Sequence, residues 1–494
     1  MGVIKSQSIY STIISYVGVV FGFITSALIM PKILTTDQLG LTKLIVAVTG
    51  VFSSIFSLGI SQLLYRAYPL FSDDSQKLAK LFYFSIKIAI WGTFLALPFY
   101  FFSAKNVFNF SEPITDFEKT SFFLIGVFIV ILFRILYISL YGFVRMTGQI
   151  VVDTIIQNIF LKGGMMVFLL LFYLNWINFT SFVYLEMALY LCFPLLIIGY
   201  LVQRKSLPKL PAKTKFSKPE KKELLNLSLY GTLTTIGSSL YLYLDTLMVN
   251  HYLGESDVGI YGTLFLFGII VIVPARSLKA AAVSILSKAY KEEDYTEIAS
   301  IYRKSSDVLL VVGGFIFLGV FTNLYSVFAY LPKEFEIGAA IVFWIGIAQL
   351  VDMVCGVNHE IISSSPKYRL NTWFIGLSAL SAVGLNMFFI PMYGVEGAAI
   401  ATFSSVFMVN VLRLIAVWRI FKIQPISLTT FKIILLIILS FLIVESVPNV
   451  ENFIFNLFLK GTLLSIIYLP AVYYFKLSSD LRELIDNLLK RFVR

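Results

Sequence analysis

Long apolar segments, separated by short polar ones, run along the whole chain. Each is about 20 residues long, the length of α-helix that crosses a hydrocarbon core of about 30 Å. None shows the alternation over about ten residues that marks the strands of a membrane β-barrel. The pattern therefore predicts an all-α integral membrane protein with fourteen transmembrane helices, at residues 9–31, 41–65, 81–102, 118–144, 152–174, 179–202, 226–250, 258–280, 305–329, 338–362, 371–391, 396–418, 428–447 and 452–475.

The basic residues alternate with these predicted helices. If the N-terminus is cytoplasmic, 29 of the 39 Lys and Arg residues fall in or beside inner segments and four fall in outer loops. Lys and Arg concentrate on the cytoplasmic side of membrane proteins. The charges therefore predict that both termini are cytoplasmic, which requires an even number of spans. The first apolar run exceeds a signal-peptide core and no small-residue cleavage site follows it, so we expect it to be a permanent helix.

Composition narrows the class of protein further. Hydrophobic residues make up 58% of the chain and charged residues 14%, against about 25% charged in soluble domains. A cytosolic enzyme and a secreted disulfide scaffold are thereby excluded. The net charge of +11 reflects cytoplasmic segments and is no sign of nucleic-acid binding. Cys192 and Cys355 lie in apolar segments, where we expect free buried thiols.

A basic segment divides the chain. Residues 203–223 contain eight basic residues and three prolines, a composition that cannot form a helix in lipid. The six helices on either side show related turn motifs at an offset of 219 residues, with Gly40 matching Gly259. A repeat of this kind would place the symmetry axis along the membrane normal. The predicted organisation is an N-terminal six-helix bundle, a cytoplasmic linker, a C-terminal six-helix bundle, helices 13 and 14, and a cytoplasmic amphipathic tail, at residues 1–202, 203–225, 226–422, 423–475 and 476–494.

Four segments around the turns, in their order along the chain, carry a resemblance to a known family. They are PKILTTDQLG after helix 1, LGISQLLYRAYP at the end of helix 2, HYLGESDVGIYG after helix 7 and NMFFIPMYGVEGAAIAT across helices 11 and 12. With fourteen spans arranged as six, six and two, the chain resembles the polysaccharide-biosynthesis membrane proteins of the multidrug/oligosaccharidyl-lipid/polysaccharide (MOP) exporter superfamily. This group includes the Wzx-type O-antigen flippases. The resemblance covers essentially the whole chain.

The resemblance implies both a fold and a function. The fold would be MATE-like, with two six-helix bundles around a central cavity. The protein would be a carrier of a bacterial or archaeal inner membrane, moving an undecaprenyl-pyrophosphate-linked oligosaccharide, such as an O-antigen unit of lipopolysaccharide, to the outer leaflet. Its partners would be that lipid-linked substrate, membrane lipids and the polysaccharide polymerase or glycosyltransferase machinery.

Basic residues inside the predicted helices are the candidates for substrate binding. A charge at membrane depth is expensive and usually faces a cavity or a partner. Arg134 and Lys162 lie deepest, in the middle of spans 4 and 5, while three others lie nearer the cytoplasm. One interpretation is a cationic cavity that accepts a pyrophosphate; the alternatives are ion pairs with Glu186 or Asp352, or snorkelling to the interface. The candidate cavity residues are Arg134, Lys162, Lys87, Arg66 and Arg276.

Acidic residues in the spans are candidates for ion coupling or for ion pairs. A carrier driven by H+ or Na+ needs such an acid. We expect no cofactor and no metal site. His359 and Glu360, together near the inner end of span 10, are candidates for a gate or interface. Lys43, Lys432 and Lys460 fall near span ends, where interfacial anchoring is expected. The candidate acids are Asp245, Glu186 and Asp352.

Three functions fit a protein of this class. A lipid-linked oligosaccharide flippase is the leading interpretation, because the deep charges of the N-terminal half are basic. An ion-coupled small-molecule exporter of the same fold would be expected to have a more acidic or apolar cavity. A membrane polysaccharide polymerase usually has a large outer loop with catalytic basic residues, whereas the longest outer loop here, near residues 103–117, has one Lys. No phosphate-binding loop, zinc helix or nucleophile elbow occurs, which favours a transporter over an enzyme.

Overall fold

The computed structural model describes residues 2–71, 74–108, 121–208 and 216–492. Over these ranges the regular secondary structure is helical, without strands. Contacts between residues divide the chain into two units, residues 1–259 and 260–494. Most of the predicted outer loop at residues 103–117 and the middle of the basic linker, including Lys213, lie outside the described residues.

The first unit contains nine of the helices that matter below and the start of another. Two of its helices continue through π-helical turns, one at Ile24–Ile29 after α1 and one at Ile156–Phe160 after α7. Turns of this kind shift the side chains that follow them around the helix axis. The helices are α1 (Gly2–Phe23), α2 (Met30–Ile33), α3 (Thr36–Phe56), α4 (Ile60–Phe71), α5 (Ser75–Val107), α6 (Ser121–Met146), α7 (Ile150–Ile155), α8 (Leu161–Tyr173), α9 (Phe179–Gln203), α10 (Lys218–Tyr252) and the first turn of α11 (Glu255–Ile269).

The second unit continues from α11 to the end of the described chain. Short 3-10 segments at Ile270–Ile272 and Lys333–Gly338 join its helices. Its last helix, α20, lies within the predicted amphipathic tail. The helices are α12 (Val273–Lys291), α13 (Tyr295–Phe321), α14 (Leu324–Tyr330), α15 (Ala339–Val354), α16 (Asn358–Ser364), α17 (Arg369–Phe421), α18 (Leu428–Glu445), α19 (Phe453–Tyr474) and α20 (Ser479–Phe492).

Twelve helical segments of the described chain are long and apolar enough to cross a membrane. The protein is therefore a multi-pass membrane protein. Helix α10, which covers the predicted span at residues 226–250, is not among the twelve. Ser, Thr, Tyr and Gly residues interrupt its leucines and lower its hydropathy. The exact number of fourteen spans remains a prediction.

Helix α17 joins two of the predicted spans. At about 1.5 Å per residue its 53 residues are much longer than one membrane crossing. The backbone leaves the helical conformation at Gly394, where φ is 60° and ψ is −138°. Just beyond this point, Gly397 lies against the backbone carbonyl of Phe389, eight residues earlier in the chain. The chain therefore folds back at Gly394, between the spans predicted at residues 371–391 and 396–418.

Side-chain caps explain where several helices begin. Thr35 precedes α3 and forms a capping box with Gln38, in which each side chain binds the other residue's backbone N–H, at 3.3 and 3.1 Å. Ser217 and Glu220 form the same arrangement at the start of α10. Asn178 caps α9 by accepting a hydrogen bond from the Ser181 backbone N–H at 2.8 Å.

The turns that the sequence pairs at an offset of 219 contact each other reciprocally. A Cβ on Gly40 would collide with the backbone oxygen of Glu255, and a Cβ on Gly259 would collide with that of Thr36. Thr36 and Glu255 are themselves separated by the same offset. Reciprocal contact between equivalent positions is the property of a two-fold related pair. These turns therefore approach at backbone distance, and both glycines are required there.

Lys460 has a different environment from the one expected of an interfacial anchor. Its side chain is only 1% exposed. The ammonium donates to the backbone oxygen of Thr322, at the C-terminal end of α13, at 3.1 Å and lies 3.4 Å from Glu445, the last residue of α18. The anchor prediction is wrong here, because Lys460 joins three helix ends inside the second unit.

Candidate functional site

Arg134 lies at the middle of α6, a helix of 26 residues between Ser121 and Met146. An arginine at this depth costs about 2.5–3.5 kcal/mol on insertion scales, and more in simulations of an isolated helix. Helices α3 and α9 pack against α6 and bring Thr49 and Tyr190 to the guanidinium. The arginine is half-buried, so it is partly shielded without being sealed into the protein.

Both partners of Arg134 are uncharged. Nη1 donates to the hydroxyl oxygen of Thr49 at 2.8 Å, while that hydroxyl donates its own proton to the carbonyl of Ile45 at 2.8 Å. The guanidinium lies 5.2 Å from the ring centroid of Tyr190, a cation–π distance. Within the described part of the chain Arg134 forms no salt bridge. Its positive charge is therefore held in place but not neutralised by these residues.

Glu186 lies one turn before Tyr190 on α9 and is 3% exposed. Neither carboxyl oxygen accepts a hydrogen bond from any described residue. The residue is close enough to Tyr190 for an electrostatic interaction, but it forms no salt bridge with Arg134. The sequence-based alternative that pairs Arg134 with Glu186 or Asp352 therefore does not describe this structure.

Helix α10 adds an aromatic ring to the same region. The ring of Tyr243 lies on Gly50, where a Cβ would collide with it, and Gly50 follows Thr49 on α3. Tyr243 also lies within electrostatic range of Tyr190. Two tyrosines, a threonine and a half-buried arginine thus form one cluster, which we call the Arg134 cluster: Thr49, Arg134, Tyr190 and Tyr243.

Lys162 is placed elsewhere, in the contact between α1 and α8. Its ammonium donates to the backbone oxygen of Gly18 at 2.6 Å and to Oδ1 of Asn158 at 3.2 Å. The absence of a side chain on Gly22 makes room for its aliphatic carbons. The lysine follows directly after the π-helical turn Ile156–Phe160. The structure thus gives Lys162 a helix-joining contact and does not place it in the Arg134 cluster.

The other three cationic candidates are exposed side chains. Arg66 lies on α4 and Lys87 on α5, both in the first unit, whereas Arg276 lies on α12 in the second. None of them forms a salt bridge with another described residue. The structure therefore does not bring them together with Arg134.

Asp352 takes part in a different network, inside the second unit. Its Oδ2 forms a salt bridge with Lys279 of α12, and both side chains are about one-sixth exposed. Its Oδ1 accepts a hydrogen bond from Asn410 at 3.4 Å, and Asn410 accepts one from Asn358 at 3.1 Å. We call these residues and the charged groups around them the Asp352 network.

Further charges surround that salt bridge. Glu360 and Arg413 both lie close enough to Lys279 and Asp352 for electrostatic interaction. His359 is near Arg413, Lys279 and Asp352, and its backbone oxygen accepts a hydrogen bond from Asn371 at 3.0 Å. Two carboxylates therefore face two permanent cations here. The predicted pair His359 and Glu360 belongs to this network.

Several residues of these sites were not candidates in the sequence. Lys279 and Arg413 count only as cytoplasmic charges there, and Thr49, Tyr190 and Tyr243 look like ordinary helix residues. The partners of the Asp352 salt bridge are 73 residues apart, so no local pattern connects them. Asp245, which the sequence does single out, is buried in α10 at 8% exposure.

The described residues contain no group of three His, Cys, Asp or Glu side chains that could hold a metal ion. Cys192 is half-buried and Cys355 buried, and neither is in a disulfide. What the Arg134 cluster offers is anion binding, because a guanidinium has five N–H donors and one of them is used by Thr49. A phosphate or carboxylate suits the remaining donors.

Solved structures identify the class of this fold. The chain superposes on the lipid II flippase MurJ in an inward closed conformation with a TM-score of 0.70 and 15% identity, over 96% of this chain and 99% of that one. An inward-facing multidrug resistance MATE family transporter of the MOP superfamily gives 0.64 and 15%, over 83% and 94%. The prediction of an all-α, MATE-like membrane protein is confirmed.

Sequence comparison identifies the family within that class. The family model of the polysaccharide biosynthesis proteins matches residues 4–270, which is more than half of the chain. The chain belongs to this family, as its turn motifs predict. A MatE family model also matches, over residues 232–388.

Two curated relatives are more distant. An uncharacterized membrane protein, MJ1068, of Methanocaldococcus jannaschii is 23% identical over 343 residues, which are 66% of this chain and 65% of that protein. The probable low-salt glycan biosynthesis flippase Agl15 of Haloferax volcanii is 24% identical over 202 residues, 40% of this chain and 42% of that protein. The chain thus aligns with less than two thirds of either relative. The named functions among these proteins are those of flippases and transporters, not enzymes.

Proposed function

We propose that this protein is a flippase that moves a lipid-linked oligosaccharide from the cytoplasmic to the outer leaflet by alternating access. In this proposal the lipid carrier is joined to the glycan through pyrophosphate, and the Arg134 cluster binds that pyrophosphate. The membrane would be the inner membrane of a bacterium or archaeon, with both chain termini cytoplasmic. The glycan would be an O-antigen unit or a similar polysaccharide repeat.

The observation that carries the proposal is the uncompensated charge of Arg134. The guanidinium lies at the middle of a membrane helix, its partners among the described residues are neutral, and four of its N–H donors remain for a ligand. A pyrophosphate supplies at least the missing negative charge and accepts two parallel N–H bonds from one guanidinium. Binding the anion therefore removes the largest electrostatic cost in this helix.

The family favours this substrate over a small cation. The polysaccharide biosynthesis model covers the unit that contains Arg134, whereas the MatE match begins at residue 232. The MurJ and Agl15 names each denote a flippase, the second one of glycan biosynthesis. A cation exporter would have to place its substrate against the uncompensated positive charge of Arg134, which would repel it.

Energy coupling follows the same division of labour. We propose that an ion gradient, of H+ or Na+, or the substrate gradient itself drives transport. The buried acids Asp245 and Glu186 are the candidates for an ion site. Lys162 would act on the same pathway through α1, since it connects that helix to α8. The polymerase and glycosyltransferases that use and make the substrate would be its partners.

The test is glycan export in a strain that lacks its own flippase, with the amount of protein in the membrane measured alongside. We expect Arg134→Ala to abolish export nearly completely, and Arg134→Lys to keep part of it, because lysine retains the charge but loses the bidentate fork. Lys162→Ala should also reduce export. Lys432→Ala, which removes an exposed cation near the start of α18, is the matched control and should export normally.

The outcomes separate binding from folding. Normal membrane levels with wild-type export in both Arg134→Ala and Lys162→Ala would refute the pyrophosphate-binding mechanism. Loss of export together with loss of the protein from the membrane would assign these residues to packing instead. The expected result is loss of export at normal protein level for Arg134→Ala.

A further inference from the structure

Lys43 is a cation inside the first unit with no partner. It lies seven residues after the start of α3 at Thr36, and its side chain is half-buried. It forms no hydrogen bond or salt bridge with any described residue. Within this described chain Lys460, by contrast, reaches a carbonyl and Glu445, and Lys279 reaches Asp352.

The register of α3 places Lys43 on the same face as the Arg134 cluster. Lys43 and Gly50 are seven residues apart, close to two full turns, so they share one face of the helix. Tyr243 covers that face at Gly50, and Thr49, the residue before, holds Arg134. Lys43 therefore stands one side-chain row further along the same surface.

The separation is too large for one pyrophosphate. Thr49 and Lys43 are six residues apart, about 9 Å along the helix axis, and a helical side chain points toward the N-terminus, which takes the ammonium further away. A pyrophosphate held by Arg134 cannot reach an ammonium at that distance. A second anionic group of the same substrate can do so only if it lies in the glycan, beyond the linkage.

We propose that Lys43 binds an anionic substituent on a sugar of the transported oligosaccharide, so that the protein selects acidic glycans. The proposal rests on the proposed function, because it takes the pyrophosphate at Arg134 as the first anchor point. Lys43 would then set specificity, and Arg134 would hold the part that all lipid-linked substrates share. A uronic acid, with its carboxylate on the ring, is the simplest sugar of this class.

Two structural roles for Lys43 agree less well with the surroundings. An interfacial anchor would sit at a helix end with its ammonium in water, whereas the α3 span is the most buried of the candidate membrane helices, at 67%. A packing role would require an acceptor, as Lys460 has. An unpaired, half-buried ammonium lowers stability, and such a cost is typical of a residue kept for its ligand.

The experiment compares two substrates in proteoliposomes of neutral lipid. One is a pyrophosphate-linked disaccharide of neutral sugars, and the other has a uronic acid in place of the second sugar. We expect Lys43→Met to lower flipping of the acidic substrate by about tenfold or more, the worth of one charge-assisted hydrogen bond, and to leave the neutral one within about twofold. Lys43→Arg should keep the preference, and Lys432→Met is the control.

Folding is checked by the same variants. Lys43→Met removes an unpaired charge, so its thermal midpoint should equal or exceed that of the wild type. An equal loss on both substrates, or no loss on either, would overturn the role of Lys43. So would a loss that appears only when anionic phospholipid is added, since the ligand would then be a lipid headgroup.

The result also distinguishes this proposal from the one it rests on. If the wild type flips both substrates and Arg134→Ala flips neither, the proposed function stands whatever Lys43 does. If the wild type flips neither substrate, the proposed function fails, and the role of Lys43 fails with it.

Discussion

The two units hold their deep charges in opposite ways. In the first unit Arg134 has only a threonine and a tyrosine as partners, Lys43 has none, and the carboxyl of Glu186 accepts no hydrogen bond among the described residues. In the second unit Lys279 pairs with Asp352, with Arg413 and Glu360 beside them. The second arrangement is electrically complete without a ligand, and the first is not.

This difference separates stability from function. A buried ion pair resists the removal of either partner, because the remaining charge is left without compensation. An uncompensated cation already bears that cost, so removing it should be neutral or favourable for folding. Substitutions in the Asp352 network should therefore affect folding first, and those in the Arg134 cluster should affect ligand binding first.

The largest effect on stability is expected from breaking the salt bridge. Asp352→Asn should lower the stability of the detergent-solubilised protein by about 3 kcal/mol, since Lys279 loses its carboxylate partner. Arg134→Met should change it by less than about 1 kcal/mol, because no counter-charge is stranded. Thermal unfolding of both variants measures the contrast.

The control for that experiment removes both charges at once. Lys279→Met combined with Asp352→Leu should recover much of the stability lost in Asp352→Asn. Equal destabilisation by Asp352→Asn and Arg134→Met would show that the two sites do not differ in the way described here.

A medium effect is expected where the repeated turns meet. Gly40→Ala would place a methyl group against the backbone oxygen of Glu255, and Gly259→Ala would do the same against Thr36, at about 1–3 kcal/mol each. Gly163→Ala is the matched control, since nothing lies within 4 Å of a Cβ there. Unfolding midpoints should fall for the first two and not for the third; a fall in Gly163→Ala alone would contradict the reciprocal contact.

The smallest effect concerns the start of α10, which lies outside the predicted spans. The Glu220 carboxylate accepts hydrogen bonds from the Ser217 backbone N–H at 2.7 Å and from Lys77 at 3.2 Å, and these lower its pKa. A lowered pKa means that the stabilisation is fully present above the ordinary carboxyl pKa and is lost as the pH falls through the folded value.

Amide hydrogen exchange at residues 218–221 measures this effect. Exchange should quicken on acidification below about pH 4 in the wild type, after correction for the intrinsic rate. Glu220→Gln should remove that pH dependence. An identical pH profile in the two proteins would show that Glu220 does not hold the cap through its charge.

The sequence predicts the elements of this protein better than their partners. Hydropathy and the positive charges predict the helices, and the motifs around Gly40 and Gly259 predict both the family and the repeat that the turns show in contact. The partners are different, because they come from distant parts of the chain. Lys162 binds Gly18 and Asp352 binds Lys279, pairs separated by 144 and 73 residues. No spacing rule connects such positions.

Depth along a helix was also an incomplete guide to role. Arg134 and Lys162 lie equally deep in their predicted spans, yet one meets a hydroxyl and an aromatic ring and the other a backbone carbonyl. The π-helical turn before Lys162 rotates the side chains that follow, and hydropathy carries no trace of it. Lys43 and Lys460 share a place near a helix end, but only Lys460 has acceptors in reach.

The central claim is that Arg134 binds the pyrophosphate of a lipid-linked oligosaccharide. The most direct measurement is the affinity of the purified protein, in neutral-lipid nanodiscs, for a pyrophosphate-linked oligosaccharide. Arg134→Ala should weaken binding by about tenfold to a hundredfold, with unfolding unchanged, while the Lys279→Met/Asp352→Leu double variant should bind like the wild type. Wild-type affinity in a folded Arg134→Ala protein would contradict the claim.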